Sequence, residues 1–234
     1  EGVLRFLAAP DYETNSFFTA TVTATDGTNP SFQTITVEVT DVDDVAPEFT
    51  SSASFSAEEN QNLVGTVIVT DTDSVIDSIS FSVSGDDLAI TAEGLLSFKT
   101  APDFEVKASY TATVTATDGV NQSSQTITIT VSDVDDVAPV FTSSASFTAV
   151  ENQTAIGTVT ATDIDSDDAA ISFSVSGDDL EVTSAGVLSF ASAPDYETNP
   201  SYSATITATD GSNQSEQIVT VAVTDVNDEA PVIT

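Results

Sequence analysis

One feature constrains this chain more than any other: the sequence superimposes on itself at a shift of 92 residues, without insertions. The segment DVDDVAP begins at Asp41 and again at Asp133, and its variant DVNDEAP begins at Asp225. PDYE or PDFE recurs from Pro10, Pro102 and Pro194, and ATDG runs end at Gly27, Gly119 and Gly211. Such regularity predicts a series of like units stacked in a line. The markers divide the chain into the carboxy-terminal half of a unit over 1–46, complete units over 47–138 and 139–230, and the start of another over 231–234. Glu1 aligns with Glu93, so both ends read as cuts within a longer array. Half a sandwich leaves its core open, and residues 1–46 are expected to be poorly stable without a complement.

Within each unit apolar residues alternate with polar ones, the pattern of half-buried antiparallel strands. Tyr110, Ala112, Val114 and Ala116 alternate with Thr111, Thr113, Thr115 and Thr117. Ile127, Ile129 and Val131 alternate with Thr126, Thr128 and Thr130, and Ile171, Phe173 and Val175 with Ser172 and Ser174. One face is core and the other a Thr and Ser surface. Short strands punctuated by Gly, Asn and Asp turns, such as SGDD over Ser84–Asp87, predict an all-β sandwich of about 90 residues per unit and no helix. The Phe and Tyr residues are expected to fill its cores.

The charge narrows the partners. There are 38 acidic residues against Arg5, Lys99 and Lys107, a formal net charge of −35. Three scattered cations make no phosphate-binding patch, which excludes nucleic acid and disfavours an anionic membrane surface. No segment is long and apolar enough to insert into a membrane, and no signal peptide is visible at Glu1. The chain has no Cys, His, Met or Trp, so disulfides, zinc sites and thiol or imidazole catalysis are excluded. So many carboxylates suit a hard multivalent cation, above all Ca²⁺. The alternative is a solubility coat of acids, but that would not recur in motif order every 92 residues.

The acids cluster at repeated places. Each unit offers an EN element (Glu59 and Asn60; Glu151 and Asn152), a DxE element (Asp103 and Glu105), a DxD element (Asp71 and Asp73; Asp163 and Asp165) and an ATD element (Asp118; Asp210). A DxDD element joins one unit to the next. As a set these motifs resemble the cadherin family, whose extracellular repeats carry xEN, DxE, DxNDNxP, DxD and xDx; the resemblance covers essentially the whole chain. It implies a linear array of tandem Greek-key, Ig-like sandwiches of seven strands, with up to three Ca²⁺ at each complete junction.

Carried over by position, the resemblance implies that the junction between the second and third units uses Glu59, Asp103 and Glu105 from upstream. Asp133, Asp135 and Asp136, with the Val134 and Val137 carbonyls, come from the linker, and Asp163, Asp165 and Asp210 from downstream. Nine carboxylates then face the six charges of three Ca²⁺, so a metal-free junction is flexible and a loaded one stiff. The preceding junction uses Asp11, Glu13, Asp41, Asp43, Asp44, Asp71, Asp73 and Asp118 with the Val42 and Val45 carbonyls, and lacks its EN glutamate. Glu151, Asp195, Glu197, Asp225, Asn227 and Asp228 form the upstream half of a further site, and Asp26 belongs to a junction before Glu1. A further downstream carbonyl falls near Ile76 or Asp168. Two positions depart from the family pattern: Asp43 and Asp135 stand where it has Asn, adding charge, and Val45 and Val137 replace its second linker Asn. An EF-hand starting at Asp163 fails, with Ser174 at the twelfth position.

The implied function is a calcium-rigidified structural or adhesive array on a cell surface, whose partners are another copy, a cell-surface protein or a glycan. A carbohydrate- or matrix-binding module of a secreted protein is the alternative, and it requires exposed aromatics. An enzyme would need two carboxylates in a cleft with separated pKa values, whereas these acids repeat at hinges. The implied location is extracellular, where modular sites with Kd values of roughly 10⁻⁴ to 10⁻³ M fill. The Cys-free, Thr-rich style of the copies points to a bacterial surface or secreted protein.

Overall fold

Threonine and β-branched residues at alternate positions favour the extended backbone, and a computed structural model shows the strands they form. It describes residues 2–73, 79–165 and 170–228, with no α-helix among them. Two compact units divide between Ser132 and Asp133.

The first unit opens with a hairpin of β1 (Phe17–Thr25) and β2 (Pro30–Glu38), paired from Phe17↔Glu38 to Thr25↔Pro30. A complete sandwich follows: β3 (Glu48–Phe49), β4 (Ser54–Glu58), β5 (Leu63–Thr66), β6 (Val69–Thr70), β7 (Ser80–Val83), β8 (Leu88–Ile90), β9 (Leu95–Phe98), β10 (Ser109–Thr117) and β11 (Gln122–Ser132). One sheet runs β4-β11-β10-β7, the other β5-β9-β8. The first strand of the sandwich changes sheets: its opening piece β3 pairs antiparallel with β6, and its second piece β4 runs parallel to β11. The second strand is likewise broken into β5 and β6. The nine segments are therefore seven strands, two of them interrupted, which is the seven-stranded sandwich that the resemblance implies.

The core lies between the sheets, where Leu88, Leu96 and Phe98 cluster with Val114, Ile127, Ile129 and Val131. The alternation works as read: Val114 and Ala116 are fully buried, while Thr111, Thr126, Thr128 and Thr130 are exposed.

The second unit repeats this plan with β12 (Val140–Phe141), β13 (Ser146–Val150), β14 (Ala155–Thr158), β15 (Ala161–Thr162), β16 (Ser172–Val175), β17 (Leu180–Val182), β18 (Val187–Phe190), β19 (Ser201–Thr209) and β20 (Gln214–Thr224). Sheets β13-β20-β19-β16 and β14-β18-β17 enclose Leu180, Leu188, Phe190, Ile206, Val219 and Val221.

The β1–β2 hairpin has the same sequence pattern but, among the described residues, no opposing sheet. Val22 is 45% exposed, whereas Val114, one repeat later, is fully buried. Phe6 still stacks edge-on against Phe18 at 5.0 Å, as Phe98 does against Tyr110 at 4.9 Å. An open apolar groove of about 810 Å³ lies over this half, lined by residues including Leu4, Leu7, Phe18, Ile35 and Val37.

Candidate metal centres

The sandwich ends bring the repeated acids together. Glu59 follows β4 and is only 2% exposed; Glu151 matches it, and these are the buried charged residues among those described. The neighbouring Asn60 and Asn152 adopt left-handed backbone with φ of 61° and 62°, which swings the chain across the sheet end. Asn60 N–H then donates to Pro102 O, and Phe104 N–H to Glu59 Oε2 at 2.7 Å. The DxE turn is shaped by Asp103, whose Oδ1 accepts from Val106 N–H at 3.0 Å. As a result one carboxylate oxygen each of Glu59, Asp103 and Glu105 lies within 4.8 Å of the others.

In the second unit Tyr196 N–H donates to Glu151 Oε2 at 2.9 Å, and Val226 N–H, from the following linker, to Glu151 Oε1 at 2.6 Å. Glu151, Glu197 and Asp228 form the equivalent cluster. Asn152 Nδ2 donates to Asp228 Oδ2 at 2.7 Å, and Asp195 Oδ1 accepts from Thr198 N–H at 3.2 Å. Asp225 lies close enough to Glu197 to raise its pKa, and Asn227 is exposed.

The linker is built against the acids of the repeat that follows it. Asp73 Oδ2 accepts from Asp44 N–H and Val45 N–H at 2.7 and 2.8 Å. Asp165 Oδ2 accepts from Asp136 N–H and Val137 N–H, both at 2.7 Å. Asp118 Oδ1 accepts from Val120 N–H and Asn121 N–H at 2.6 Å, and Asp210 Oδ1 from Ser212 N–H and Asn213 N–H at 2.6 and 2.7 Å. Asp26 holds the same turn, with Thr28 N–H and Asn29 N–H on its Oδ1. In Asp73, Asp165, Asp118 and Asp210, as in Asp26, one oxygen shapes the backbone. The other oxygen, Oδ1 of Asp73 and Asp165 and Oδ2 of Asp118 and Asp210, is buried with no hydrogen-bond partner. An anionic oxygen shut away from water without a partner is costly, and a cation removes that cost.

Proton affinities report the same crowding. The Glu13 carboxyl is held above its ordinary value: its own backbone N–H lowers it, but desolvation and the carboxylates of Asp11 and Asp41 outweigh that. At Glu197 the backbone N–H again lowers and desolvation raises, with Glu151, Asp225 and Asp195 adding like charge. Burial is the main cause raising Asp163, with Asp165 beside it. Asp165 is lowered, because the N–H groups of Val137 and Asp136 and the Asp163 side chain outweigh its desolvation. Thr14 N–H lowers Asp11, and the Thr198 hydroxyl lowers Asp195.

The predicted residues thus fall into groups. Glu59, Asp103 and Glu105 converge in the first unit, as do Glu151, Glu197 and Asp228 in the second. Glu13 adjoins both Asp11 and Asp41, and Asp71 Oδ1 accepts from Asp73 N–H at 3.3 Å, as Asp163 Oδ1 does from Asp165 N–H at 3.4 Å. Asp133, Val134, Asp135, Asp136 and Val137 belong to the second unit, and Ile76, Asp168 and residues 231–234 lie outside the described residues. Sequence reasoning missed Asn121, Ser212 and Asn213, which bond the linker acids Asp43 and Asp135. The signal was present in TDGTN, TDGVN and TDGSN, where Asn29, Asn121 and Asn213 fall 92 apart. The donor set is all oxygen, which fits a hard divalent cation and no thiophilic metal.

No protein-family model matches the chain. Protocadherin Fat 4 of Mus musculus is 34% identical over 254 aligned residues, covering 98% of this chain and 5% of that protein. Cadherin-7 of Rattus norvegicus is 30% identical over 84% of this chain, which spans 30% of the relative. Among solved structures, mouse cadherin-23 EC22-24 superimposes with a TM-score of 0.72 at 26% identity, over 94% of this chain and 78% of that one. The protocadherin GammaB4 extracellular domain gives 0.75 at 28% identity, over 96% and 40%. The 92-residue period, the interrupted seven-stranded sandwich and the acids at its ends agree with these likenesses: the chain is an array of cadherin-like repeats.

Proposed function

We propose that this chain is a calcium-dependent extracellular structural or adhesive array, in which Ca²⁺ bound at the repeat junctions stiffens a rod for contacts at a cell surface. The observation that carries the reading is the recurrence, 92 residues apart, of buried carboxylate oxygens with no hydrogen-bond partner: Oδ1 of Asp73 and Asp165, Oδ2 of Asp118 and Asp210. These oxygens are ready for a cation at no further cost in backbone reorganisation, because the opposite oxygen of each carboxylate already pins its loop.

At the junction between the second and third repeats the ligands are Glu59, Asp103 and Glu105, then Asp133, Asp135 and Asp136, then Asp163, Asp165 and Asp210, holding up to three ions. At the preceding junction the ligands are Asp11 and Glu13, then Asp41, Asp43 and Asp44, then Asp71, Asp73 and Asp118. The sites at Glu151, Asp195, Glu197, Asp225, Asn227 and Asp228 are the upstream half of another. Bound Ca²⁺ offsets carboxylates that otherwise repel, and joins consecutive repeats through shared ligands. Its partners are another copy of the array, a cell-surface protein or a glycan, and the Cys-free, Thr-rich composition suits a bacterial surface.

Calcium titration by calorimetry tests the reading. Binding in the millimolar range or tighter, weakened by Asp165→Asn and Asp210→Asn, is the expected result. Heats that are absent, or that both substitutions leave unchanged, would refute the site.

A further inference from the structure

We propose that Asn121 and Asn213 latch each linker to the repeat that follows it without any metal, so that the downstream half of a junction is assembled before an ion arrives. The Asn121 Nδ2 group donates to both the carbonyl oxygen and the Oδ1 of Asp43, each at 3.2 Å. One repeat later Asn213 Nδ2 makes the same pair of bonds to Asp135, again at 3.2 Å. The seryl hydroxyls two residues on, Ser123 and Ser215, donate to the carbonyls of Pro47 and Pro139. With the two linker N–H groups on Asp73 or Asp165, each linker is fastened at three places within five residues, 43–47 and 135–139.

The loop that carries the latch is rigid for local reasons. Thr117 Oγ1 accepts from Gly119 N–H and donates to Asn121 O, and Gly119 at φ +108° makes the turn that no larger residue adopts readily. Asp118 Oδ1 holds the Asn121 N–H, and the same set recurs at Thr209, Asp210 and Gly211. The amide therefore meets the linker with little rotamer freedom left to lose. A neutral amide opposite an acid also explains how Asp43 and Asp135 are tolerated amid so many carboxylates: the donor is charge-assisted by the acid it faces. One contact distinguishes the second latch from the first. Ser212 Oγ donates to Asp135 Oδ2 at 2.9 Å, and Val120 occupies that place in the preceding repeat, so the second latch is the stronger.

The latch bears on calcium only if the junctions bind it, as proposed above, but its own test needs no metal. Hydrogen exchange of the full chain in EDTA reads the Asp136 and Val137 amides, with Ile206 and Val221 reporting the core. Asn213→Asp sets carboxylate against Asp135 and is expected to speed exchange at Asp136 and Val137 by about tenfold or more while the core amides stay slow. The exchanged pair, Asp135→Asn with Asn213→Asp, removes the carboxylate repulsion and restores the side-chain amide-to-acid contact but not the bond to the residue 135 carbonyl, so exchange is expected to slow relative to Asn213→Asp without reaching the parent rate. Ser212→Val speeds exchange at the second linker toward that of the first, read at Asp44 and Val45. Unchanged exchange in Asn213→Asp, or an exchanged pair that exchanges as fast as Asn213→Asp, overturns the latch. If the latch results hold but no variant nor the parent binds calcium, the latch stands and the metal reading falls.

Discussion

Glu59 is 2% exposed, carries a carboxylate, and accepts a hydrogen bond from Phe104 N–H. Glutamine keeps that acceptor and removes the charge. Glu59→Gln is therefore expected to fold as well as the parent in EDTA and to lose affinity at the second junction by about tenfold or more, measured by calcium titration. Loss of folding in EDTA would instead make Glu59 a structural acceptor. Proton competition has a definite sign. Glu13 and Glu197 are raised in the folded, metal-free chain, so folding favours their protonated forms. Their contribution to stability is present below the unfolded pKa and is lost as pH rises through the folded one. Calcium affinity runs the opposite way, weakening as pH falls and these carboxyls protonate, and titrations at successive pH values check it. At Gly94, φ is +79° and an added Cβ would lie 2.2 Å from Val67 O; Gly85, at φ +83°, has open space around it. Both alanine substitutions bear the left-handed penalty of roughly 1–2 kcal/mol, and only Gly94→Ala adds a backbone clash, so thermal melts should place it well below Gly85→Ala.

Among the elements, the long strands β10 and β11 were legible because apolar and polar residues alternate over 110–117 and 126–131, and β19 and β20 follow from them by the 92-residue repeat. Two-residue pieces such as β3 and β6 were not, since no period can be read in two residues and their pairing is set by a strand that changes sheets. The DxE and DxD acids were legible through repetition. Their division of labour was not, because which oxygen of Asp73 or Asp118 is spent on backbone N–H groups depends on loops folded from far along the chain. The same holds for Asn121 and Asn213, whose partners lie 78 residues away in sequence. Equivalent strand positions give a direct comparison of packing. Ile127 is fully buried, while Ile35, one repeat earlier, is half-buried on the open hairpin. Ile127→Ala should destabilise its sandwich by about 2–5 kcal/mol in denaturant melts, and Ile35→Ala by less than about 1 kcal/mol.

Across the whole molecule, a net charge of −35 with three cations works against compactness unless counter-charge is supplied at the clusters. The complete sandwiches have closed cores and the hairpin of β1 and β2 has an open one, so hydrogen exchange should be fast throughout residues 17–38 and slow in β10, β11, β19 and β20. The central claim is that calcium at the junctions is part of the folded state. Thermal unfolding of the full chain in EDTA and in about 5 mM CaCl₂, beside the Asp133→Ala plus Asp136→Ala variant, tests it; linkage at the affinities of extracellular modules gives about 1–2 kcal/mol per occupied site. A calcium-dependent rise in Tm that the double substitution sharply reduces is the predicted result. Equal Tm with and without calcium, or a rise that the variant fully retains, would contradict the account.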